Sequence, residues 1–316
     1  MSEGQPSLEQ ACIFVIGMHR SGTSATTGTL ASLGIAVPSG DDQTAIAADN
    51  ERGNLESRSL RAFNDRLLVH LGGTWSGPPD LTPGWEGDTE LDSWRARAVA
   101  SFIKSFPSRP MAWKDPRNCI TLPFWRTVAG PPVAAVFVYR DPVEVAGSLH
   151  VREGIGVTYG LALWDRYVRS ACANLVGLPT MVADYARMLD EPAAWIRELE
   201  DFLRGMGIRV EVPSASAAVP WLAADLRHQH APRDRPSGLW DSQLEIVAAL
   251  RQLDGSHRSW SAPDLGPEPP WVDDLITLRR DTDILRREVE RREHLLHVSR
   301  VSRMARFAGK LRHRRS

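Results

Sequence analysis

The segment from Ala11 to Leu33 constrains the fold of this chain more than any other stretch. Its first six residues, from Ala11 to Ile16, are apolar or small, and they run directly into Gly17. A run of this length favours a strand that is buried on both faces, and the residues beyond the following loop favour a helix. A buried strand, a glycine loop and a helix in this order are typical of an α/β fold with a parallel central sheet.

The loop between this strand and helix has the composition of an anion site. Gly17 and Gly22 stand five residues apart, and Thr23 and Ser24 open the predicted helix. The glycines let the backbone curl so that its N–H groups converge, and the positive end of the helix dipole adds to the attraction for an oxyanion. The loop is therefore predicted to hold a phosphate.

This loop departs from the nucleotide P-loop, G-x-x-x-x-G-K-[ST], at one position. Thr23 occupies the place of the lysine that reaches the outer phosphates. The cation of the loop is instead Arg20, two residues before the second glycine. We therefore expect phosphate binding without the lysine on which kinases and ATPases depend.

A second strand followed by a helix lies between Val133 and Arg152. The run from Val133 to Tyr139 is apolar, and Pro142 suits the first turn of a helix. Arg140 follows the strand directly, and Ser148 lies eight residues further along the helix. Arginine offers a forked donor to phosphate and serine a neutral one. The structural alternative is an arginine that Asp141 caps at the end of the strand.

Together these motifs resemble the sulfotransferases that use 3′-phosphoadenosine 5′-phosphosulfate (PAPS). In that family a (K/R)-x-G-T-(S/T) loop binds the 5′-phosphosulfate, and an R-D-P-x-x-x-x-x-S arrangement binds the 3′-phosphate. The resemblance implies that the PAPS-binding residues are Gly17, Arg20, Ser21, Gly22, Thr23, Ser24, Arg140 and Ser148. The fold class that we predict is α/β: a three-layer sandwich with a central parallel sheet, a P-loop-like phosphosulfate loop and a C-terminal helical tail.

The stretch from Asn50 to Glu56 resembles the N-x-x-G-x-(aromatic)-E pattern of bacterial family members that modify carbohydrates, with Leu55 where an aromatic residue is usual. Such an enzyme needs a base to take the proton of the acceptor hydroxyl. The resemblance assigns this role to Glu56. Glu51 is the alternative base, and both carboxylates could instead cap the next helix.

The sequence W-K-D-P-R from Trp113 to Arg117 also resembles the bacterial sulfotransferases. The resemblance makes Lys114 a catalytic cation near the leaving group, together with Arg20. The chain contains only three lysines, so a lysine at the end of a predicted strand favours a functional role. The alternative is a structural salt bridge, either between Lys114 and Asp115 or between Arg117 and a neighbouring carboxylate.

The loop of residues 72–94 is rich in glycine and proline and carries Trp75, Trp85 and Trp94. A tryptophan face can stack on a sugar ring, which would make the loop the rim of an acceptor site. Alternatively, these tryptophans pin a long loop to the core.

The composition indicates an intracellular enzyme. The 316 residues suit one α/β domain with an extension, and a net charge of −1 gives no general attraction to nucleic acid. The three cysteines are widely spaced in apolar surroundings, so we expect reduced core residues and no metal site. The N-terminal residues show no secretion signal, and no apolar run is long enough to span a membrane, so we expect a cytoplasmic protein.

The chain is predicted to divide into a sulfotransferase domain (1–262), a proline-rich linker (263–270) and a helical, basic tail (271–316). Within residues 271–298 a 3-4 spacing of apolar side chains suits self-association or a partner helix. Residues 298–316 hold seven Arg or Lys and no acid, which is compatible with contact to an anionic membrane surface at the inner face of the membrane. The tail is expected to be dispensable for chemistry, so that a chain ending near Ala262 folds and binds nucleotide.

The predicted activity is transfer of a sulfo group from PAPS, without a metal, to a hydroxyl of a carbohydrate or glycolipid. The enzyme alternative is a nucleotide kinase or NTPase-like P-loop protein. The other alternative is a non-catalytic nucleotide-binding scaffold that acts through its C-terminal helix.

Overall fold

The computed structural model describes residues 11–38, 42–43, 55–106, 108, 110–131, 133–210, 219–222 and 241–312, with the side chains of all but 219–220 and 294–312. The strands are β1 (Cys12–Ile16), β2 (Met111–Lys114), β3 (Val133–Tyr139), β4 (Thr180–Asp184) and β5 (Gly255–His257). The helices are α1 (Thr23–Ser32), α2 (Arg58–His70), α3 (Asp92–Ser105), α4 (Asn118–Ala129), α5 (Pro142–Glu153), α6 (Val157–Asn174), α7 (Tyr185–Asp190), α8 (Pro192–Gly205), α9 (Asp241–Arg251) and α10 (Pro270–Arg312).

The five described strands form one sheet in the order β2-β1-β3-β4-β5. The first four are parallel, and β5 pairs antiparallel with β4 at the edge. The predicted α/β class and its central parallel sheet are therefore confirmed, and the short edge strand β5 is the one departure. Because β1 is flanked by β2 on one side and β3 on the other, the chain changes direction at β1, where α/β sheets usually bind ligands.

Helices cover both faces of the sheet because alternate residues of β1 point to opposite sides. Phe14 and Ile16 pack into one fully buried cluster with residues of α2 to α6. Ile13 and Val15 pack into a second cluster with residues of α1, α7 and α8. The structure thus has the three layers that we predicted, and the loops at the carboxyl ends of β1 and β3 lie beside each other.

Local signals at the start of α5 fix the backbone that follows β3. The Asp141 carboxylate accepts hydrogen bonds from the backbone N–H groups of Val143 and Glu144, at 3.0 and 3.3 Å. Pro142 occupies the first turn, where its missing N–H costs nothing. These two features start the helix at Pro142, so Arg140 is held at the carboxyl end of β3.

The first turns of α10 are part of the core. Val272 and Ile276 are completely buried, in the same cluster as Phe14. The Arg166 guanidinium of α6 donates to both carboxylate oxygens of Glu268 at 2.7 Å. A chain ending near Ala262 would lack these residues, which cover α6, and the expectation that it folds stays a prediction.

The face of α10 with the predicted 3-4 spacing is turned to solvent. Leu278, Leu285 and Val289 are 65%, 63% and 55% exposed. Val272 and Ile276 lie on another face of the helix, which the apolar spacing did not identify. Self-association through residues 271–298 stays a prediction, and the side chains of the basic segment 298–316 lie outside the described ones.

As predicted, the cysteines are buried in the core and take part in no disulfide: Cys12, Cys119 and Cys172. Burial raises the pKa of the Cys172 thiol to about 12. Among the described helices, none combines the length and the apolar composition needed to cross a membrane.

We expect a chain ending at residue 262 to be much less stable than one ending at residue 293. The shorter chain loses the burial of Val272 and Ile276, worth about 3–6 kcal/mol for two side chains of this size. That is a large part of the usual stability of a domain. The longer chain keeps every described side-chain contact of α10 and should match the full chain. Urea unfolding midpoints of the three proteins check this, and equal midpoints for all three would show that α10 does not stabilise the core.

Candidate functional site

Three loops meet at the carboxyl ends of neighbouring parallel strands. The loop after β1 runs from Gly17 to Gly22, the chain after β2 continues from Lys114 into Asp115, and β3 is followed by Arg140. In the sheet register Val15 lies opposite both Lys114 and Val136, so β1 and β2 end within one residue of the same level, while β3 continues to Tyr139. The predicted site residues from separate parts of the chain are therefore brought together at one edge of the sheet.

The backbone of the β1–α1 loop is held in an unusual conformation. Arg20 has a φ of +69° and Gly22 a φ of +93°, and α1 begins at the next residue, Thr23. Positive φ costs a non-glycine residue about 1–2 kcal/mol, and such strain often persists at functional sites. Ser21 is completely buried, and its hydroxyl has no hydrogen-bond partner among the described residues. The loop thus keeps an unused polar group at the predicted phosphate site.

The two glycines of the loop are in close contact with their neighbours. A Cβ atom at Gly17 would lie 2.4 Å from the carbonyl oxygen of Val138 in β3. A Cβ atom at Gly22 would lie 2.1 Å from the Tyr185 ring. Both positions therefore require glycine for packing, and at Gly22 the positive φ is a second reason.

Arg20, Arg140 and Ser148 form one cluster beside the loop. The Arg20 Nε atom donates to the Ser148 hydroxyl at 2.9 Å. The Arg140 guanidinium donates to the Arg20 carbonyl oxygen at 3.2 Å. The structure thus brings the two motifs together, with two guanidinium groups and a hydroxyl in one cluster.

Arg140 is nearly buried and is held by a carboxylate of the following helix, α5. Its Nε atom donates to Glu144 at 2.8 Å, and the Glu144 side chain is 1% exposed. The guanidinium also lies over the Tyr185 ring, 4.8 Å from the ring centre. Asp141 caps the start of α5, and the alternative in which Asp141 also caps Arg140 stays a hypothesis. Tyr185, which the sequence did not single out, packs against both Gly22 and Arg140.

Lys114 contacts two other predicted site residues. Its Nζ atom donates to Glu56 at 2.7 Å and to the Ser24 hydroxyl at 3.1 Å. The Lys114 side chain is 3% exposed and that of Glu56 11% exposed. Lys114 pairs with Glu56 and not with Asp115, so that salt bridge is absent. The other structural alternative, an ion pair of Arg117 with a neighbouring carboxylate, is present, because Arg117 pairs with Asp115 and Asp65.

Glu56 does not cap the following helix. That position belongs to Ser57, whose hydroxyl accepts from the Leu60 N–H at 3.1 Å. The carboxylate of Glu56 is directed to Lys114 instead. Glu51, the alternative base, lies outside the described residues.

A buried polar network supports the end of β2. Asp115 accepts from Asn64 at 2.9 Å and from the Arg117 guanidinium at 3.1 Å. Arg117 also donates to Asp65 of α2 at 2.6 Å. Burial alone would lower the pKa of Arg117, but the carboxylates of Asp115 and Asp65 raise it, so Arg117 stays charged. The network ties α2 to the strand end that carries Lys114.

His19 is the residue of this site that the sequence analysis missed. The residue as a whole is half-buried, but its Nε2 atom is buried without a hydrogen-bond partner among the described residues. Burial, followed by the positive charges of Arg117 and Lys114, lowers the pKa of His19 well below its usual value. His19 is therefore a neutral imidazole among cations. A single histidine in the loop carries no spacing signal that would have identified it.

The three tryptophans of the 72–94 loop have different surroundings. The Trp75 ring lies 4.7 Å from the His19 ring, at the site. Trp94 stacks on His70 at 5.0 Å and meets the edge of Phe63 at 5.5 Å, so it pins the loop to the helical layer. Trp85 is half-buried and lines a separate cavity of about 810 Å³ beside α4 and α6. Only Trp75 is placed to contribute to the site.

No group of three or more His, Cys, Asp or Glu side chains with the arrangement of a metal site occurs among the described residues.

Two solved structures are similar to this chain over most of its length. The sulfotransferase domain from the Synechococcus PCC 7002 olefin synthase is 14% identical, with a TM-score of 0.40 over 84% of this chain and 93% of that one. The sulfotransferase domain from the curacin biosynthetic pathway is 13% identical, with a TM-score of 0.40 over 84% of this chain and 96% of that one. No protein family model and no curated protein matches the chain.

We expect Gly22→Ala to destabilise the protein more than Gly177→Ala. Gly177 has a similar φ of +82° but no atom within 4 Å of an added Cβ, so its substitution should cost about 1–2 kcal/mol for the backbone alone. At Gly22 the Tyr185 ring must also move, which adds about 1–3 kcal/mol of overpacking. Free energies of unfolding in urea measure both. Equal losses would show that Tyr185 moves aside without cost and is not packed firmly on the loop.

Proposed function

We propose that this protein transfers a sulfo group from PAPS to a hydroxyl of a carbohydrate or glycolipid. One observation carries the proposal: Arg20, Arg140 and Ser148 on one side of the glycine loop, and Lys114 with Glu56 on the other, meet at a single edge of the sheet. Thr23 stands where a nucleotide kinase would have its phosphate-binding lysine. Two clusters of donors around one loop suit a ligand with two separate anionic groups.

The proposal assigns the two ends of PAPS to the two motifs. The backbone N–H groups from Gly22 to Ser24, with Arg20, hold the 5′-phosphosulfate at the start of α1. Arg140 and Ser148 hold the 3′-phosphate. The hydrogen bond from Arg20 to Ser148 makes the two positions neighbours, as one nucleotide requires. The unpaired hydroxyl of Ser21 is a further donor that the ligand would satisfy.

The sulfo group moves in a single displacement. The bond between sulfur and the bridging oxygen of the phosphate breaks, and a bond between sulfur and the acceptor oxygen forms. Adenosine 3′,5′-bisphosphate leaves with the electrons of the broken bond. Lys114 and Arg20 stabilise the negative charge that develops on the leaving phosphate, and their fixed positions avoid reorganisation during the reaction.

Glu56 takes the proton of the acceptor hydroxyl. Its contact with Lys114 is compatible with this role, because an ammonium group has three donors and can hold Glu56, Ser24 and the leaving oxygen together. The carboxylate is thereby fixed beside the position of the sulfo group. A group placed in this way typically contributes about 10²–10⁴ to the rate.

A carbohydrate acceptor is proposed on two grounds. The chain from Asn50 to Glu56 resembles that of carbohydrate-modifying sulfotransferases. The flat face of Trp75 lies at the site, next to His19, where it could support a sugar ring.

Arg140→Lys should weaken binding of adenosine 3′,5′-bisphosphate by about tenfold or more, the effect of losing one hydrogen bond to a charged group. Lysine keeps a positive charge for the buried Glu144 but loses the forked donor. Binding of AMP, which has no 3′-phosphate, should be unchanged. Calorimetric titration of both nucleotides provides the measurement. If the variant keeps the full preference for the bisphosphate, Arg140 does not hold the 3′-phosphate.

Glu56→Gln should reduce turnover by about 10²-fold or more while leaving affinity for adenosine 3′,5′-bisphosphate within a small factor. Glutamine keeps the size of the side chain and a hydrogen bond to Lys114, but it cannot accept the proton. Turnover is followed as transfer of labelled sulfo groups to a carbohydrate that the wild type modifies.

Glu51→Gln is the matched control, with the same chemical change at the alternative base. An active Glu56 variant beside an inactive Glu51 variant would place the base at Glu51. Normal turnover in both variants would show that neither carboxylate is the base.

A further inference from the structure

A short segment of the 72–94 loop is fastened to α10 by one buried carboxylate. Asp283 is 9% exposed. Its Oδ2 atom accepts from the Thr74 hydroxyl at 2.9 Å and from the Ser76 hydroxyl at 3.3 Å. Its Oδ1 atom pairs with Arg279 at 3.2 Å. Hydrogen bonds to a charged acceptor are about twice as strong as neutral ones, so this attachment is firm.

The backbone of the same segment, residues 73–79, also lies directly on α10. The Arg287 guanidinium donates to the Gly73 carbonyl oxygen, and that of Arg280 to the Pro78 carbonyl oxygen, both at 3.4 Å. A Cβ atom at Gly77 would lie 2.9 Å from the Arg280 Cα atom. The segment is therefore packed against the helix backbone.

The opposite side of the segment faces α6 and the phosphate loop. The Tyr167 hydroxyl donates to the Trp75 carbonyl oxygen at 2.7 Å, and the Tyr159 hydroxyl donates to the Ser76 carbonyl oxygen. The Trp75 ring lies on His19, which precedes Arg20 in the phosphate loop. A continuous series of contacts thus leads from α10 through Trp75 to the site.

The segment has no regular secondary structure of its own, so these contacts determine where Trp75 lies. Of its two supports, α6 bonds to backbone carbonyl oxygens, whereas Asp283 binds the side chains on both sides of Trp75. We propose that Asp283 is a positioning residue: by holding Thr74 and Ser76 it keeps Trp75 on His19 and so shields the His19 imidazole from water. If the proposed function is correct, Asp283 also shapes the acceptor side of the site.

The effect of shielding on the pKa of His19 can be distinguished from the effect of the charges around it. The cations that act on its ring come from elements other than α10: Arg117 and Lys114 at the end of β2, Arg152 on α5 and Arg20 in the loop itself. Tyr167 of α6 meets the ring at 5.8 Å and stays neutral, because burial raises its pKa. Releasing the segment leaves these groups in place and changes only the exposure of His19 to water. Since burial lowers the pKa of a histidine, exposure must raise it.

Asp283→Ala tests this in the full chain, with Asp281→Ala as the matched control. Asp281 is exposed two residues earlier on the same helix. The pH titration of the His19 ring is followed by NMR in protein labelled at histidine, with His19→Gln to assign its signal. We expect the pKa of His19 to move upward in Asp283→Ala and to stay at the wild-type position in Asp281→Ala.

Thr74→Val and Thr74→Ser provide a second pair that leaves α10 intact. Valine removes the hydroxyl that Asp283 binds and should also raise the pKa of His19, whereas serine restores the hydroxyl and should restore the wild-type titration. An unchanged titration in both Asp283→Ala and Thr74→Val would overturn the proposal. A shift in Thr74→Ser as large as that in Thr74→Val would also overturn it, because the hydroxyl would then not matter.

Two further measurements, of nucleotide affinity and of acceptor kinetics, test this inference separately from the proposed function. Affinity for adenosine 3′,5′-bisphosphate should stay within about twofold of wild type in Asp283→Ala, because Arg20, Arg140 and Ser148 are untouched. For an acceptor that the wild type sulfates, KM should rise more than kcat falls. If wild type fails to bind the bisphosphate, the proposed function is wrong, yet the His19 titration still decides the role of Asp283.

Discussion

The site depends on holding several positive charges in a nearly buried space before any ligand is present. An unpaired buried charge is costly, so the fold supplies carboxylates at short distance. Arg140 has Glu144, and Lys114 has Glu56. Arg117 is shared between Asp115 and Asp65. These pairs hold the three cations in fixed positions near the carboxyl ends of β1, β2 and β3.

The same arrangement explains why the surrounding structure is so constrained. Gly17 and Gly22 let the loop lie against β3 and Tyr185, which sets the distance between the loop and Arg140. Asn64 links α2 to the end of β2 and so holds Lys114 where Glu56 can reach it. Each of these contacts acts on a short loop at the carboxyl ends of the strands. A small displacement there would separate Lys114 from the cluster of Arg20, Arg140 and Ser148.

Much of this site could be predicted from sequence because its parts are local patterns. Strand, glycine loop and helix are contiguous, and Arg140 and Ser148 belong to one helix and its start. His19, Tyr185 and Asp283 could not be predicted, because their roles arise from contacts between distant segments. On α10 the regular 3-4 spacing marks the exposed face, whereas burial of Val272 and Ile276 depends on where α6 lies.

The central claim is that one edge of the sheet binds a nucleotide with phosphates at both the 3′ and 5′ positions. Calorimetric titration of the unmodified protein with adenosine 3′,5′-bisphosphate and with ATP, each with and without magnesium, tests it directly. The account predicts that the bisphosphate binds at least about tenfold more tightly than ATP, equally well without magnesium. Tighter binding of ATP that requires magnesium would contradict the account and indicate a nucleotide kinase or NTPase.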